Sequence, residues 1–339
     1  MGGGGGSATV ELSGVTFVFF LGAPYLRVAG AVYSLVAEPY VARDTLFLPL
    51  HWLVEYVPRV LGSRYRWDPA AARLEEIPAL PPAPPLLPPD PRTGLRQPHT
   101  IVIDPGHGGV DPGNPGLYFP GRLVEKDITL AIGRLLRAEL LRRGLHATLT
   151  RTTDTLIDLA DRGALCRHEC DLFVSIHVNA MPPPPSRRRG RVSGVETYFL
   201  SDAKTEDQKR VAQMENDAIR FETDAPAAAG GGDLGFILRD LQLNEYLRES
   251  ARLAELVQGR VAGIHPGGDH GVQQAAFVVL TTARRPAILV ETGFATSPQD
   301  GAFLASSLGQ HKIATAIADG IVGYLLEFER KLAGAGPGR

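Results

Sequence analysis

Two histidines and two glutamates in this 339-residue chain stand where hydrolytic chemistry needs them. His107 follows Ile101-Val-Ile-Asp-Pro-Gly106 on a glycine-flanked turn, and His177 lies in Ser175-Ile-His-Val-Asn179. Glu125 precedes Lys126 just ahead of an amphipathic stretch, and Glu291 lies in Ile288-Leu-Val-Glu-Thr-Gly-Phe294. A zinc hydrolase needs three nitrogen or oxygen ligands and a fourth position open for water. His107, Glu125 and His177 supply such a set, and Glu291 suits a general base that afterwards serves as general acid. Each has a plainer role when taken singly. A histidine at a strand end is more often hydrogen-bonded than metallated, Glu125 suits the first turn of a helix, and Glu291 could pair with an arginine. Their joint placement points to a site. His99, His146, His168, His265, His270 and His311 have no such company. Gly106-His-Gly-Gly109 does not make a dinucleotide loop, because Asp111 falls where the third glycine belongs.

The elements that must position these groups begin at Thr100. Residues 101–104 read as a strand, and Asp127 to about Arg143 as a helix with Ile128, Ile132, Leu135, Leu136 and Leu140 on one face. Asp127 is its expected N-cap and Gly144 its stop. Further strands are expected at His146–Thr150, Asp171–His177, Glu196–Leu200, Phe277–Leu280 and Ala287–Glu291, with helices at Leu159–Glu169 and from about His311 to Glu329. Strand and helix in alternation imply an α/β fold: a mostly parallel twisted sheet with helices on both faces. In such a sheet all four groups reach the carboxyl edge, where ligands bind.

Ahead of this lies a glycine-rich start at 1–9 and a small α+β domain at 10–77, with short alternating strands and a helix over His51–Leu61. The proline-rich run 78–99 favours extended polyproline II and reads as a semi-rigid linker. The catalytic unit then spans 100–330, with a tail at 331–339. Length suits two domains. A formal net charge of −2 gives no footprint for nucleic acid, and the cluster Arg187-Arg188-Arg189 reads as a solvated loop. Cys166 and Cys170, four apart in an expected helix, read as small packing residues. No stretch approaches about 20 apolar residues, so no transmembrane segment is expected. No signal peptide is visible, since Met1-Gly-Gly-Gly-Gly-Gly6 lacks a basic and an apolar region.

The motifs appear in a specific order: Asp104-Pro-Gly-His-Gly-Gly109 with Asp111, Glu125-Lys126, Ser175-Ile-His-Val-Asn-Ala180, Gly194-Val-Glu-Thr-Tyr-Phe-Leu200, Phe277-Val-Val-Leu280 and Pro286-Ala-Ile-Leu-Val-Glu-Thr-Gly-Phe294. In that order they resemble the catalytic domain of the zinc-dependent N-acetylmuramoyl-L-alanine amidases of the AmiA/AmiB/AmiC type, over about 100 to 330. The resemblance implies one zinc ion on His107, Glu125 and His177, and Glu291 as catalytic acid/base. It implies hydrolysis of the amide joining the lactyl group of N-acetylmuramic acid to L-alanine in peptidoglycan. Asp111 and Asn179 would order the site. Thr296-Ser297-Pro298 and Thr281 depart from the family pattern and bear on substrate fit. Leu46-Phe-Leu-Pro-Leu-His-Trp-Leu53 and Tyr65-Arg-Trp-Asp68 loosely resemble the stalk-like amino-terminal domain of copper amine oxidase, read as a spacer or wall-contact module.

An insert at about 203–247 breaks the alternation, with a charged helix over Thr205–Phe221, a flexible Ala225–Gly232 and a return to helix at Leu247–Ala262. It resembles the helical segment that covers the active site in division-type amidases until a partner displaces it. An acidic residue there could fill zinc's open position; Glu215 is the first candidate and Glu222 the second. The alternatives are a catalytically silent peptidoglycan-binding homologue, which should have lost one of the four groups, and a zinc peptidase acting on the stem peptide. A peptidoglycan substrate places the protein in the periplasm or outside the cell.

Overall fold

The computed structural model describes residues 6–61, 65–68, 73–76, 88–166, 170–183, 190–222, 246–283 and 285–334. Aromatic and β-branched residues open the chain as an antiparallel meander: β1 (Ser7–Leu12), β2 (Val15–Phe20), β3 (Tyr25–Val28) and β4 (Ala31–Ser34). A hairpin of β5 (Tyr40–Ala42) and β6 (Thr45–Phe47) follows, then a π-helical turn, Trp52–Tyr56, that runs into α1 (Val57–Leu61). The Trp52 ring sits edge-on to Phe17 and Phe19, with centroids 5.5 and 5.0 Å away, and closes a small separate core. β7 (Tyr65–Asp68) and β8 (Arg73–Glu76) pair antiparallel beyond it.

The larger unit comprises β9 (Thr100–Pro105), α2 (Glu125–Arg142), β10 (His146–Leu149), α3 (Leu159–Ala164), β11 (Leu172–Asn179), β12 (Gly194–Leu200), α4 (Glu206–Asn216), α5 (Tyr246–Ala262), β13 (Gly268–Ala275), α6 (Val278–Thr281), β14 (Ala287–Phe294), α7 (Pro298–Ala305) and α8 (Ser307–Gly334). Its six strands run in the order β10-β9-β11-β14-β12-β13, and all neighbours are parallel except β12 with β14. The central strands β11 and β14 are buried along their full length and are covered on both faces. Ile101, Ile103, Val174, Ile176 and Val290 pack on one side with α2, α5 and α8. Val102, Phe173, Tyr198 and Leu289 pack on the other with residues of α4 and α6. The fold is the expected one, a mostly parallel sheet with helices and a small sheet domain before it.

The small domain docks against the amino edge of this sheet. Glu55 pairs with the buried Arg285 at 2.7 Å, Tyr25 meets Phe328 edge-on at 5.3 Å, and Gln97 Nε2 donates to Gly30 O. Residues 88–99 lie along the larger unit: Leu95 is buried, and the Arg96 and Gln97 amides donate to Glu329. Residues 77–87 lie outside the described part.

Several elements differ from expectation. Phe277–Leu280 forms no strand; Val278–Thr281 is a short helix that buries Val279 and Leu280, and the sheet's edge is Gly268–Ala275 instead. A four-residue apolar run does not distinguish strand from helix, and the edge strand Gly-Asp-His-Gly-Val-Gln-Gln-Ala is too polar to read as one. α2 begins at Glu125, so Asp127 is its third residue rather than its N-cap, with Oδ2 accepting from the Val124 amide. α3 stops at Ala164, and Cys166 and Cys170, beyond its end, are joined in a disulfide. Two α-helices, not one, follow β14. Thr205 caps α4 through a hydrogen bond from the Gln208 amide. Residues 223–245, with the flexible stretch, and the arginines at 187–189 lie outside the described residues.

Candidate metal centre

The strand ends deliver the site. β9 finishes at Pro105, and the Gly106 amide donates to Ile176 O on β11 at 3.0 Å, which draws the next residue beside His177. A Cβ on Gly106 would collide with the His177 imidazole, so the approach needs glycine there. His107 has φ 62°, in the left-handed region that costs a non-glycine residue roughly 1–2 kcal/mol. The surrounding structure must hold it there. Its Nδ1 lies 2.7 Å from Asp111 Oδ2, which makes Nδ1 the protonated nitrogen and leaves the Nε2 lone pair facing inward.

Glu125, the first residue of α2, is fully buried and held at both oxygens. Oε1 accepts from the Val178 amide at 2.7 Å, and Oε2 accepts from the Asn114 amide and Nδ2 at 2.8 and 2.9 Å. Glu291 on β14 is the register partner of His177 on β11 and of Glu196 on β12.

Four side chains then converge. His107 Nε2 lies 3.1 Å from both Glu125 Oε1 and Glu215 Oε2, and His177 Nδ1 lies 3.3 and 2.7 Å from the same two oxygens. These contacts are close but misaligned for hydrogen bonding: among the described residues His107 Nε2, His177 Nδ1 and both Glu215 oxygens have no hydrogen-bond partner. One donor atom from each of the four residues falls within 4.8 Å of the others, and all four residues are buried. Two imidazole nitrogens and two carboxylate oxygens around one point, unsatisfied by each other, are a donor set that fits a divalent cation.

Electrostatics agree. Burial alone would raise Glu125, yet the neighbouring His107 and, after it, His177 hold it well below the usual carboxylate range. Burial, and after it the charges of Glu215, Glu125 and Glu196, holds Glu291 well above that range. Among the described residues neither Glu291 oxygen has a hydrogen-bond partner. A cation among the four donors would draw its pKa down again.

Of the residues singled out in the sequence, His107, Glu125, His177 and Glu215 meet in one cluster and Glu291 stands beside it. Asp111 holds His107. Asn179 Nδ2 donates to Glu196 Oε2 at 3.1 Å, and its carbonyl accepts from Ala295. Glu222 is elsewhere in its chemistry: Oε1 accepts from the Leu159 amide at 2.8 Å, at the start of α3. Asn114, Glu196, Arg151 and Arg162 were not foreseen. Arg151 directly follows an expected strand, a carboxyl-edge position that could have flagged it. The other three are brought in by loops and by chain reversals. Thr296 Oγ1 accepts from the Met181 amide, and Ser297 caps α7.

The family model of N-acetylmuramoyl-L-alanine amidase matches residues 101–322. The chain belongs to that family. The amidase is 35% identical over 214 residues to the N-acetylmuramoyl-L-alanine amidase AmiA of Salmonella typhimurium, covering 62% of this chain and 71% of that protein. It is 33% identical over 214 residues to AmiA of Escherichia coli, with the same coverage. Among solved structures, AmiC2 of Nostoc punctiforme is 33% identical, with a TM-score of 0.48, covering 67% of this chain and 97% of that one. The amidase is accordingly a hydrolase of the amide bond between N-acetylmuramic acid and L-alanine in peptidoglycan. Its first hundred residues lie outside the family match. Among the described residues no helix is long and apolar enough to cross a membrane.

Proposed function

We propose that the amidase is a zinc enzyme held inactive by its own helix α4. His107, Glu125 and His177 would hold the ion, and Glu291 would be the catalytic acid/base. The observation that carries this reading is the convergence of two buried, unpaired imidazole nitrogens on one carboxylate oxygen. Zinc in that place supplies Lewis acidity toward the scissile carbonyl and makes water acidic enough to react near neutral pH.

The chain's own groups do the rest. Asp111 fixes the His107 ring, and the Val178 and Asn114 donors fix the Glu125 carboxylate, so the donor set is preorganised. Glu291 takes the proton from the attacking water and returns it to the L-alanine nitrogen as the amide C–N bond breaks. No covalent intermediate is required. Asn179 ties Glu196 beside Glu291 and keeps the strand ends in register. A groove of 480 Å³, lined in part by Leu117, Met181, Arg210 and Met214, opens beside the cluster and suits the substrate.

Glu215 reaches the cluster from α4, 2.7 Å from His177 Nδ1, and takes the position that water must occupy. α4 also forms one wall of the groove, so its departure uncovers the cation and widens the substrate path together. A partner protein that binds the insert would act as activator. The substrate places the amidase in the cell envelope, periplasmic or extracellular.

The test is elemental analysis of the purified protein, followed by chelation and readdition. One zinc per chain is expected, lost together with His107, Glu125 or His177 when any of them is replaced by alanine. Protein that carries no zinc and takes none up would overturn the assignment.

A further inference from the structure

Two arginines that the family reading gives no task lie directly beneath the candidate centre. Arg151 and Arg162 are only 3% and 2% exposed. Arg162 Nη1 meets the buried Asp104 at 3.0 Å, but most of the donors of the two guanidinium groups go to backbone oxygens. Arg162 donates to Ile157 O, Pro105 O and His107 O at 2.8, 3.1 and 3.0 Å. Arg151 donates from Nε to Pro105 O at 2.9 Å, and from Nη2 to both Gly106 O and Lys126 O at 2.9 Å. Thr129 Oγ1 donates to the same Gly106 oxygen at 2.9 Å.

The segments tied together are specific. Gly106 precedes His107, and Lys126 follows Glu125. One nitrogen of Arg151 thus bridges the two ligand-bearing pieces of chain, while Arg162 holds the carbonyl of His107 itself. His107 is the residue with the left-handed backbone, which needs such restraint. Packing leaves no slack, because a Cβ on Gly108 would collide with Thr155 O and crowd Arg151 Nε at 3.0 Å. Burial, and after it the like charge of Arg162, pushes Arg151 down to about 10, so it is still charged at neutral pH. A planar fork with several donors can bind carbonyls on both sides at once, and a lysine ammonium cannot reproduce that geometry.

We propose that Arg151 and Arg162 are positioning residues: a guanidinium clamp that fixes the His107 loop against the first turn of α2 and so sets the spacing of His107 and Glu125 for the metal. This rests on the zinc assignment at those residues. The clamp touches neither substrate nor metal; it acts through the backbone of the ligands.

The test compares the wild type with Arg151→Lys, Arg162→Lys and Thr129→Val. Zinc affinity is read by competition with a chelator of known strength, and the metal-free proteins are melted in parallel. Loss of the clamp should weaken zinc about 10- to 100-fold in each arginine variant, while the metal-free form stays folded at assay temperature. Thr129→Val, which removes the hydroxyl that donates to Gly106 O and Lys126 O and accepts from Arg151 Nη2 while leaving both guanidinium groups in place, should weaken it about threefold. It also serves if an arginine variant does not fold. Wild-type affinity in the folded variants overturns the clamp and leaves the arginines as core ion-pair partners. A wild type that binds no zinc overturns the metal assignment, and the inference with it.

Discussion

Glu291 and His177 are register partners on the adjacent parallel strands β14 and β11, so the group assigned to proton transfer and a group assigned to the metal rise from the same level of the sheet. Neither sits on a flexible loop. Both strands are buried along their full length, and their neighbour β12 brings Glu196 to the same level from the other side. A centre built on such strands keeps its spacing without help from substrate.

That placement makes Glu291 separable from the metal. Glu291→Gln keeps the shape of the side chain, removes the proton carrier and leaves the four converging donors in place. Turnover should fall by about 10²- to 10⁴-fold, with zinc content unchanged by elemental analysis. Loss of zinc in this variant would instead make Glu291 a ligand.

Glu215 has the opposite expectation. It comes from α4, outside the strand–helix alternation, and its Oε2 meets the two imidazole nitrogens of the cluster. Glu215→Ala should raise the rate of peptidoglycan release at least tenfold and keep the zinc. A variant that loses both zinc and activity would show Glu215 to be a fourth structural ligand.

His99 offers a pH test away from the centre. It is buried between Asp171 and Glu329; burial lowers its pKa, but the hydrogen bonds to both carboxylates prevail and raise it to about 9. A folded pKa above the unfolded 6.5 means the stabilisation is fully present below about pH 6.5 and is lost as pH rises through about 9. The shift corresponds to on the order of 3 kcal/mol. Urea unfolding between pH 6 and pH 9.5 should show this loss in the wild type and a flatter profile in His99→Leu.

The small domain is bound tightly enough to test as part of the same folding unit. Glu55 meets His51 as well as Arg285; burial raises it, but these partners hold it down to about 2. Glu55→Ala leaves Arg285, 5% exposed, without that carboxylate, at a cost of about 3 kcal/mol. A lowered melting temperature with one transition is expected by calorimetry. An unchanged melting temperature would return residues 10–77 to the role of a spacer.

The sheet and the centre were legible in the sequence because strand ends carry the chemistry in a parallel fold. His107 and Glu125 stand at element boundaries, and His177 and Glu291 lie near the carboxyl ends of strands that apolar runs make visible. Glu215 was visible only as an acidic residue on a helix that breaks the alternation. What stayed hidden depends on contacts across the chain. Arg162 looks like an ordinary surface arginine until α3 turns it under the His107 loop, and only its place just after β10 marks Arg151. Asn114 and Glu196 meet Glu125 and Asn179 only after loop closure and strand reversal. Gly268–Ala275 is hidden because a polar edge strand has no apolar alternation, and no residue type after Ala164 marks the end of α3.

The most direct test is product analysis on intact peptidoglycan with Glu215→Ala protein, beside the same protein carrying Glu291→Gln. Stem peptides bearing a new free amino group on L-alanine are expected, released by the first and strongly reduced in the second, with zinc in both. Cleavage between two amino acids of the stem would make the protein a peptidase. Zinc-loaded protein that releases nothing would make it a binding homologue rather than an enzyme.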